Sequence, residues 1–267
     1  MGKITAVSPL APAEFPNLPV IEGVKFASIA AGVKYQGRTD VMLATLVPGT
    51  VVAGAFTRSA TRSAPVLDCQ AKLGQASDQG AAILVNSGNS NAFTGKGGVA
   101  AVEAITDAVA RACDLPQTRV FTSSTGVIGE PLPFERITAV LDTLAASTKA
   151  DGIAGAAKAI MTTDTFPKGS FATIEIDGKT VSISGIAKGS GMIAPDMATM
   201  LVYIFTDAKI SQSALQALVS AQNEKTFNCI TVDSETSTSD SLIVAATGTS
   251  DVAVDDNPDF ARALHGV

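Results

Sequence analysis

Residues 188–201 read Lys188-Gly-Ser-Gly-Met-Ile-Ala-Pro-Asp-Met-Ala-Thr-Met-Leu201, and the rest of the chain can be placed around this stretch. Its first glycines let a backbone approach a ligand closely, and Pro195 interrupts regular structure. The uncharged run at residues 200–205 predicts a buried strand. The stretch therefore predicts a tight turn that presents Thr199 at the mouth of a buried strand.

A hydroxyl held at such a turn suits a nucleophile, so Thr199 is the first candidate for a catalytic residue. The same pattern also describes a structural threonine at the start of a strand, where β-branched residues are common. Taken alone, the pattern favours the structural interpretation.

Composition limits the classes of function. Of the 267 residues, 46% are hydrophobic and 16% are charged, which suits a large core and argues against disorder. A net charge of −6 argues against nucleic acid or an anionic membrane surface as a partner. The three cysteines form no Cys-x-x-Cys pair, which predicts reduced thiols in the cytoplasm and neither a zinc site nor a disulfide framework.

The single histidine, His265, lies near the C-terminal end, where we expect a frayed tail. A Ser-His-Asp or Cys-His site and a histidine-rich metal site are therefore not expected. If the chain is an enzyme, its base is a carboxylate, a lysine or an α-amine.

Apolar runs and turn signals predict an α+β fold with mixed or antiparallel sheets sandwiched by helices. Two hairpins are expected, at residues 41–56 around Pro48-Gly49 and at residues 171–186 around Asp177-Gly178. Further strands are predicted at residues 81–85, 120–121, 200–205 and 242–246. Helices are predicted at residues 98–113, 134–144, 153–161 and 211–223, the last with Ser211 as its N-cap.

Three loops rich in glycine, serine, threonine and asparagine follow apolar runs, at residues 86–95, 122–129 and 187–191. Loops at strand ends often converge on one site. Within the second loop, Thr125-Gly126 places a hydroxyl beside a flexible backbone N–H, which suits an oxyanion or a tight turn. A polar segment at residues 230–239 carries two carboxylates, Asp233 and Glu235.

Six stretches, taken together and in order, identify a family. They read Asn86-Ser-Gly-Asn-Ser-Asn-Ala-Phe-Thr-Gly95, Ser124-Thr-Gly-Val-Ile-Gly129, Met161-Thr-Thr-Asp-Thr165, Lys188-Gly-Ser-Gly-Met-Ile193, Met197-Ala-Thr-Met-Leu201 and residues 227–239. Their order and spacing resemble those of the ornithine acetyltransferases, the bifunctional glutamate N-acetyltransferase family of arginine biosynthesis. The resemblance covers essentially the whole chain. It implies the architecture of ornithine acetyltransferases and DmpA-like proteins, and it reverses the structural interpretation of Thr199.

The resemblance implies self-cleavage between Ala198 and Thr199, which divides the chain into an alpha-chain-like region, 1–198, and the start of a beta-chain-like region, 199–267. The new N-terminal Thr199 then accepts an acetyl group from N-acetylornithine and passes it to glutamate. Its free α-amine, with an unperturbed pKa near ~7.7–8.0, can serve as the base for its own hydroxyl near neutral pH. A base of this kind fits a chain with one histidine.

The resemblance also assigns the other site residues. It implies that Thr125 and Gly126 form the oxyanion hole, and that Lys188 contacts the substrate together with Thr162 or Thr163. It implies no cofactor and no metal, although some members of the family also accept acetyl-CoA as donor. After cleavage it implies a heterotetramer of two alpha and two beta chains.

The chain departs from the family in two respects. Ala194 and Asp196 stand where members often have His and Asn, beside the expected cleavage turn. The family is also longer, and its substrate-binding glutamate, in an Asp-Gly-Glu-Gly-Ala-Thr-like motif, has no counterpart in this sequence. We therefore expect these residues alone to transfer acetyl groups poorly. The alternatives are an N-terminal-nucleophile amidase or aminopeptidase, and a non-catalytic truncated remnant.

Overall fold

A computed structural model of the chain describes residues 6–75, 77–194 and 200–267. These residues form two β-sheets that pack face to face, with helices on their outer surfaces. The strands are β1 Val24–Ile29, β2 Val41–Leu46, β3 Val51–Phe56, β4 Ala81–Asn89, β5 Val120–Val127, β6 Lys168–Ile176, β7 Lys179–Lys188, β8 Leu201–Thr206 and β9 Ser241–Ala246. The helices are α1 Ala64–Lys72, α2 Gly95–Cys113, α3 Phe134–Thr138, α4 Leu141–Ala146, α5 Ile153–Ala159, α6 Gln212–Asn223 and α7 Pro258–Gly266.

The first sheet has the strand order β1-β2-β4-β5. Its first two pairings are antiparallel, and β4 lies parallel to β5, so the carboxyl ends of these two strands lie side by side. The second sheet has the order β3-β9-β8-β7-β6. In it β8 and β9 are parallel neighbours, and the other pairings are antiparallel.

The main core lies between the two sheets. There the Phe26 ring of β1 meets the Phe205 ring of β8 edge to face, with centroids 5.0 Å apart. Helices α2, α3 and α4 cover the outer face of the first sheet, and α6 and α7 cover that of the second. The resulting helix–sheet–sheet–helix order confirms the predicted α+β fold.

The hairpin around Asp177-Gly178 and the helix cap at Ser211 are confirmed. Both turn residues have positive φ, +50° and +75°, as a two-residue type I′ turn requires. The Ser211 hydroxyl accepts a hydrogen bond from the Ala214 amide, 3.3 Å away, at the start of α6. Across the described parts of the chain, no helix combines the length and the apolar character needed to cross a membrane.

The predicted hairpin at residues 41–56 is wrong. The turn forms, because the Thr50 amide donates to the Val47 carbonyl, but the two strands belong to different sheets. Strand β2 already has β1 on one edge and β4 on the other, so no edge is left for β3. The chain therefore crosses to the second sheet, where β3 pairs with β9.

Strands β4 and β5 extend well beyond their apolar runs, through residues that we had expected to form loops. Several buried polar side chains in these extensions have partners, although the Thr122 hydroxyl has none among the described residues. The Ser124 hydroxyl donates to Asn86 Oδ1 at 2.7 Å, and the Ser87 hydroxyl donates to the Ala159 carbonyl at 2.7 Å. Because these groups are satisfied, the polar sequence does not end the strands.

The helix predictions need two corrections. The single helix expected at residues 134–144 is two short helices, α3 and α4, separated at Ala139 and Val140, where β-branched neighbours lower helix propensity. His265 lies in the last turn of α7, a helix that sequence analysis missed together with α1. Asn257 caps α7 by accepting hydrogen bonds from two backbone amides.

Candidate active site

The site lies where strands of both sheets end. In the first sheet Ser87 of β4 is in register with Thr125 of β5. In the second sheet Lys188, the last residue of β7, pairs with Leu201 of β8, and Leu201 pairs in turn with Ser241 of β9. The end of β7 lies beside the start of β8, and the contact between Lys188 and Thr125 brings both close to the end of β5.

Lys188 and Thr125 connect the two sheets. Lys188 is two residues after Ile186, so its side chain points into the same space between the sheets as that core residue. Its Nζ donates to Thr125 Oγ1 at 2.9 Å, and the two residues are only 2% and 5% exposed. The structure thus brings together two of the residues predicted from sequence.

Burial lowers the pKa of Lys188 to about 8, because an ammonium loses hydration between the sheets. Nearby Asp164 and Asp240 act in the opposite direction and raise the pKa. The cations of Lys168 and Arg38 lower it further. Burial, two carboxyl groups and two other cations therefore determine the charge on this lysine.

Asp164 ties the loop after α5 to the loop after β7. Its side chain has no exposed surface and accepts hydrogen bonds from the Gly189 amide at 2.8 Å, the Thr162 amide at 3.2 Å and Lys168 Nζ at 2.5 Å. Burial alone would raise the pKa of Asp164, but the hydrogen bonds from Lys168 and Gly189 and the charge of Lys188 bring it below its usual value. Asp164 is therefore a carboxylate beside Lys188.

The structure separates the two threonines of this loop. Thr162 is half-buried and Thr163 is exposed, so Thr162 is the better placed to face an enclosed ligand. Sequence analysis had left open which of the two contacts substrate.

Asp240 is a site residue that sequence analysis missed. It is fully buried, and neither carboxylate oxygen makes a well-formed hydrogen bond within the described residues, although the Met200 amide and the Ser237 hydroxyl lie near it. Burial raises its pKa to about 9, against the opposing influence of the Met200 amide, Lys188 and the Ser237 hydroxyl. The predicted carboxylates of this segment, Asp233 and Glu235, are both exposed. The signal was the position of Asp240, directly before an apolar strand.

Gly126 has a conformation that its neighbours require. Its φ is +136°, and a Cβ at this position would lie 2.3 Å from the carbonyl carbon of Gly88. The β4–β5 register shifts beside it, between Gly88 and Asn89. Thr125 is buried and Gly126 is exposed, so β5 passes from the core to the surface between these two residues. The Thr125 hydroxyl therefore lies inside the core, and the Gly126 backbone N–H lies at its edge.

The chemistry of this arrangement is that of an anion site. A hydroxyl that accepts a hydrogen bond from an ammonium can still donate its own proton, and the positive charge strengthens that donor. Ala198 and Thr199, where cleavage and the nucleophile are predicted, lie outside the described residues. Their described flanks, Ala194 and Met200, are buried.

Comparison with known proteins places these features in one family. The model of the ArgJ family matches residues 25–267. Over all 267 residues the chain is 69% identical to the arginine biosynthesis bifunctional protein ArgJ of Ruegeria pomeroyi and covers 65% of its length. It is 53% identical to the protein of that name from Gluconobacter oxydans, of which it covers 62%. The chain thus spans under two thirds of the length of these curated relatives.

Two solved structures share the fold. The ArgJ of Bacillus halodurans is 34% identical with a TM-score of 0.59, and the match covers 68% of this chain and 92% of that chain. The ornithine acetyltransferase of Mycobacterium tuberculosis, solved in complex with ornithine, is 31% identical with a TM-score of 0.56, and the match covers 68% and 94% of the respective chains.

Proposed function

The chain belongs to the ArgJ family, and we propose that it moves an acetyl group from N-acetylornithine to glutamate through an acetyl ester on Thr199. The observation that carries the proposal is the hydrogen bond from Lys188 to Thr125. This hydrogen bond joins two of the family's sequence motifs, one in each sheet, in the buried space between the sheets. A buried lysine against a hydroxyl is what an oxyanion site beside a substrate carboxylate requires.

Before the first step, the Thr199 hydroxyl attacks the Ala198 carbonyl, an ester replaces the peptide bond, and water hydrolyses that ester, which leaves a carboxylate on Ala198 and a free α-amine on Thr199. This amine takes the proton of the Thr199 hydroxyl as the oxygen attacks the acetyl carbonyl of N-acetylornithine. The negative charge on the carbonyl oxygen is stabilised by the Thr125 hydroxyl and the Gly126 N–H. Ornithine leaves with the proton, and the acetyl group stays on Thr199 as an ester.

In the second step, the amine of glutamate attacks the same ester carbonyl. The oxyanion forms in the same place, the Thr199 oxygen leaves, and it recovers a proton from the attacking amine by way of the α-amine. The products are N-acetylglutamate and the free hydroxyl of Thr199. No cofactor takes part in either step, and acetyl-CoA is a further donor that the same ester chemistry can use.

The charges around the pocket suit amino-acid substrates. Lys188, Lys168 and Arg38 face a single ionised carboxylate, Asp164, because burial favours the uncharged form of Asp240. This positive excess favours a substrate α-carboxylate, which Lys188 and Thr162 would contact. The proposal extends to a cytoplasmic heterotetramer of two alpha and two beta chains, built from residues 1–198 and from the region that begins at residue 199.

The test is to incubate the protein with N-acetylornithine and to map acetyl groups by mass spectrometry. We expect an acetyl group on the fragment that begins at Thr199, and its disappearance with formation of N-acetylglutamate when glutamate is added. Thr199→Ala should carry no acetyl group. As a matched control, Thr180→Ala removes an exposed threonine of β7 and should be acetylated normally.

Two outcomes would contradict the proposal. Release of acetate with no effect of glutamate would indicate an amidase. An intact chain that neither cleaves nor carries acetyl groups would indicate a non-catalytic protein.

A further inference from the structure

Arg38 is a half-buried arginine to which the mechanism above gives no contact with substrate. It lies three residues before β2, in the loop that connects β1 to β2. Its guanidinium donates a hydrogen bond to the backbone carbonyl of Met161, in the loop after α5. A guanidinium carries several N–H donors in a planar fork, so the others remain available to a further acceptor.

Ser87 anchors both of the loops that Arg38 connects. Ser87 is in register with Thr125, at the ends of β4 and β5. The Ser87 amide donates to the carbonyl of Asp40, two residues after Arg38, at 2.8 Å. The Ser87 hydroxyl donates to the Ala159 carbonyl, at the end of α5, at 2.7 Å. The loop of Arg38 and the loop after α5 are therefore both attached to the strand beside Thr125.

The loop after α5 is also attached to the end of β7. Asp164 of this loop accepts a hydrogen bond from the amide of Gly189, the residue directly after Lys188, at 2.8 Å. In agreement with this placement, the charge of Arg38 lowers the pKa of Lys188. Arg38 therefore lies at the same site as Thr125 and Lys188, on the side of the loop after α5.

Arg38 differs from the neighbouring cations in having no carboxylate partner. Lys168 Nζ lies 2.5 Å from Asp164 Oδ1, and Lys34 Nζ lies 2.6 Å from Glu130 Oε2. Arg38 forms no ion pair within 4.0 Å with any carboxylate of the described residues, and its hydrogen bond goes to a neutral carbonyl. Its half-buried positive charge is therefore available to an anionic ligand.

The shape of a guanidinium limits the class of that ligand. Its parallel N–H groups match a carboxylate in a bidentate contact, which the single ammonium of a lysine cannot make. Both proposed substrates, N-acetylornithine and glutamate, carry an α-carboxylate next to the nitrogen that bears or receives the acetyl group. A residue that binds this carboxylate would place the reacting nitrogen in the same way in both steps.

We propose that Arg38 binds the α-carboxylate of the amino-acid substrate in both steps, through the N–H groups that its contact with Met161 leaves free. It adds a bidentate contact to those of Lys188 and Thr162. The inference rests on the proposed function for the identity of the two amino acids. Recognition of the carboxylate can be measured by binding alone.

The test uses ligands without an acetyl group, so that no transfer takes place. Dissociation constants of L-ornithine, L-glutamate and the α-amides of both are measured by NMR titration of the protein. We expect each acid to bind more tightly than its α-amide. Arg38→Gln should weaken the binding of both acids by about 10–100-fold, the usual effect of losing hydrogen bonds to a charged group, and should leave the amides nearly unchanged.

The matched control is Arg136→Gln. Arg136 of α3 also donates to a backbone carbonyl of the loop between β1 and β2, that of Gly32. Its replacement removes an anchor of the same loop and should leave all four constants unchanged. Glutamine, which keeps the α-carboxylate and lacks the side-chain carboxylate, separates the two carboxylates of glutamate. Arg38→Gln should weaken the binding of glutamine as much as that of glutamate.

Three outcomes would overturn the proposal. The first is an unchanged ratio of acid to amide binding in a folded Arg38→Gln variant. The second is a loss that affects glutamate and spares ornithine and glutamine, which would assign Arg38 to the side-chain carboxylate. The third is a parent protein that binds neither acid more tightly than its amide.

A second variant covers the case in which Arg38→Gln does not fold. Arg38→Lys keeps the charge and loses the planar fork, so it should reduce the ratio of acid to amide binding for both ligands. An unchanged ratio in this variant would also contradict the role of Arg38. Failure of acetyl transfer together with the expected changes in binding would count against the proposed function and not against Arg38.

Discussion

Lys188 and Thr125 belong to different sheets, and their side chains meet in the space between them, with Nζ 2.9 Å from Oγ1. Each residue ends or nearly ends a strand, β7 in one sheet and β5 in the other. The contact therefore depends on how the two sheets face each other, and it fixes a hydroxyl beside a buried positive charge.

Removing the Thr125 hydroxyl should impair the oxyanion site. We expect Thr125→Ala to lower kcat for acetyl transfer by about 10²–10³-fold, as for other oxyanion donors, and Thr125→Ser to retain most of the activity. The matched control is Thr122→Ala, which removes from the same strand a buried hydroxyl that has no partner among the residues the structure describes. Equal effects of the two alanine variants on kcat would remove Thr125 from the mechanism.

Cleavage between Ala198 and Thr199 should be visible on a denaturing gel. It would give one piece of 198 residues and a second with the remaining 69 of the 267 residues. N-terminal sequencing of the smaller piece should begin at Thr199. Thr199→Ala should remain one chain, because its side chain has no oxygen to attack the Ala198 carbonyl, whereas Thr180→Ala should cleave normally. A split of the Thr199→Ala chain at the same bond would show that another residue is the nucleophile.

Gly126 should tolerate no side chain. We expect Gly126→Ala to lower the free energy of unfolding by more than about 3 kcal/mol, because its Cβ would overlap Gly88 and its φ of +136° is strained for alanine. Gly129→Ala is the control: Gly129 also has positive φ, +84°, but no atom of the described part of the chain lies within 4 Å of the added Cβ. Its loss should be about 1–2 kcal/mol. Urea denaturation of the two variants measures the difference, and equal losses would show that the overlap is relieved.

Asp240 should make stability fall as pH rises. Its pKa is about 9 in the folded chain and near ~3.9 when unfolded, so between these values the folded state holds a proton that the unfolded state has released. The slope is at most about −1.4 kcal/mol per pH unit. Asp240→Asn should flatten the pH dependence of the unfolding free energy between pH ~5 and ~7.5.

The matched control for that slope is Asp164→Asn. The pKa of Asp164 is lowered in the folded chain, so its carboxylate contributes stability above its unfolded pKa and loses it as pH falls through the folded value. This variant should lose stability over the same pH window with little change of slope. Parallel pH curves for the parent and Asp240→Asn would mean that Asp240 is ionised in the folded chain.

Several elements could be predicted because their causes are local. Asp177-Gly178 makes a hairpin since both positions accept positive φ, and the apolar run of β8 has to be buried wherever it lies. Ser211 caps α6 through an amide three residues away. The sequence motifs placed Thr125 and Lys188 among the site residues, and the structure brings these two together.

The failed predictions involve contacts between residues far apart in the chain. The Pro48-Gly49 turn was recognised correctly, but the partner of β3 depends on which strand edges are free after β1, β2 and β4 have paired. The polar ends of β4 and β5 continue as strands because partners such as Ala159, distant in sequence, satisfy their side chains. No local pattern contains that information.

The sequence by itself therefore determined the turns, the buried runs and the family, because backbone preference, hydrophobicity and motif order are properties of neighbouring residues. The tertiary structure alone decided that Asp240 is a fully buried carboxyl group flanking β8 opposite Lys188 and that Lys188 reaches Thr125 of the other sheet. The physical reason is desolvation. Whether a lysine or an aspartate is an ordinary surface charge or a perturbed group inside a site depends on the water that its distant neighbours exclude.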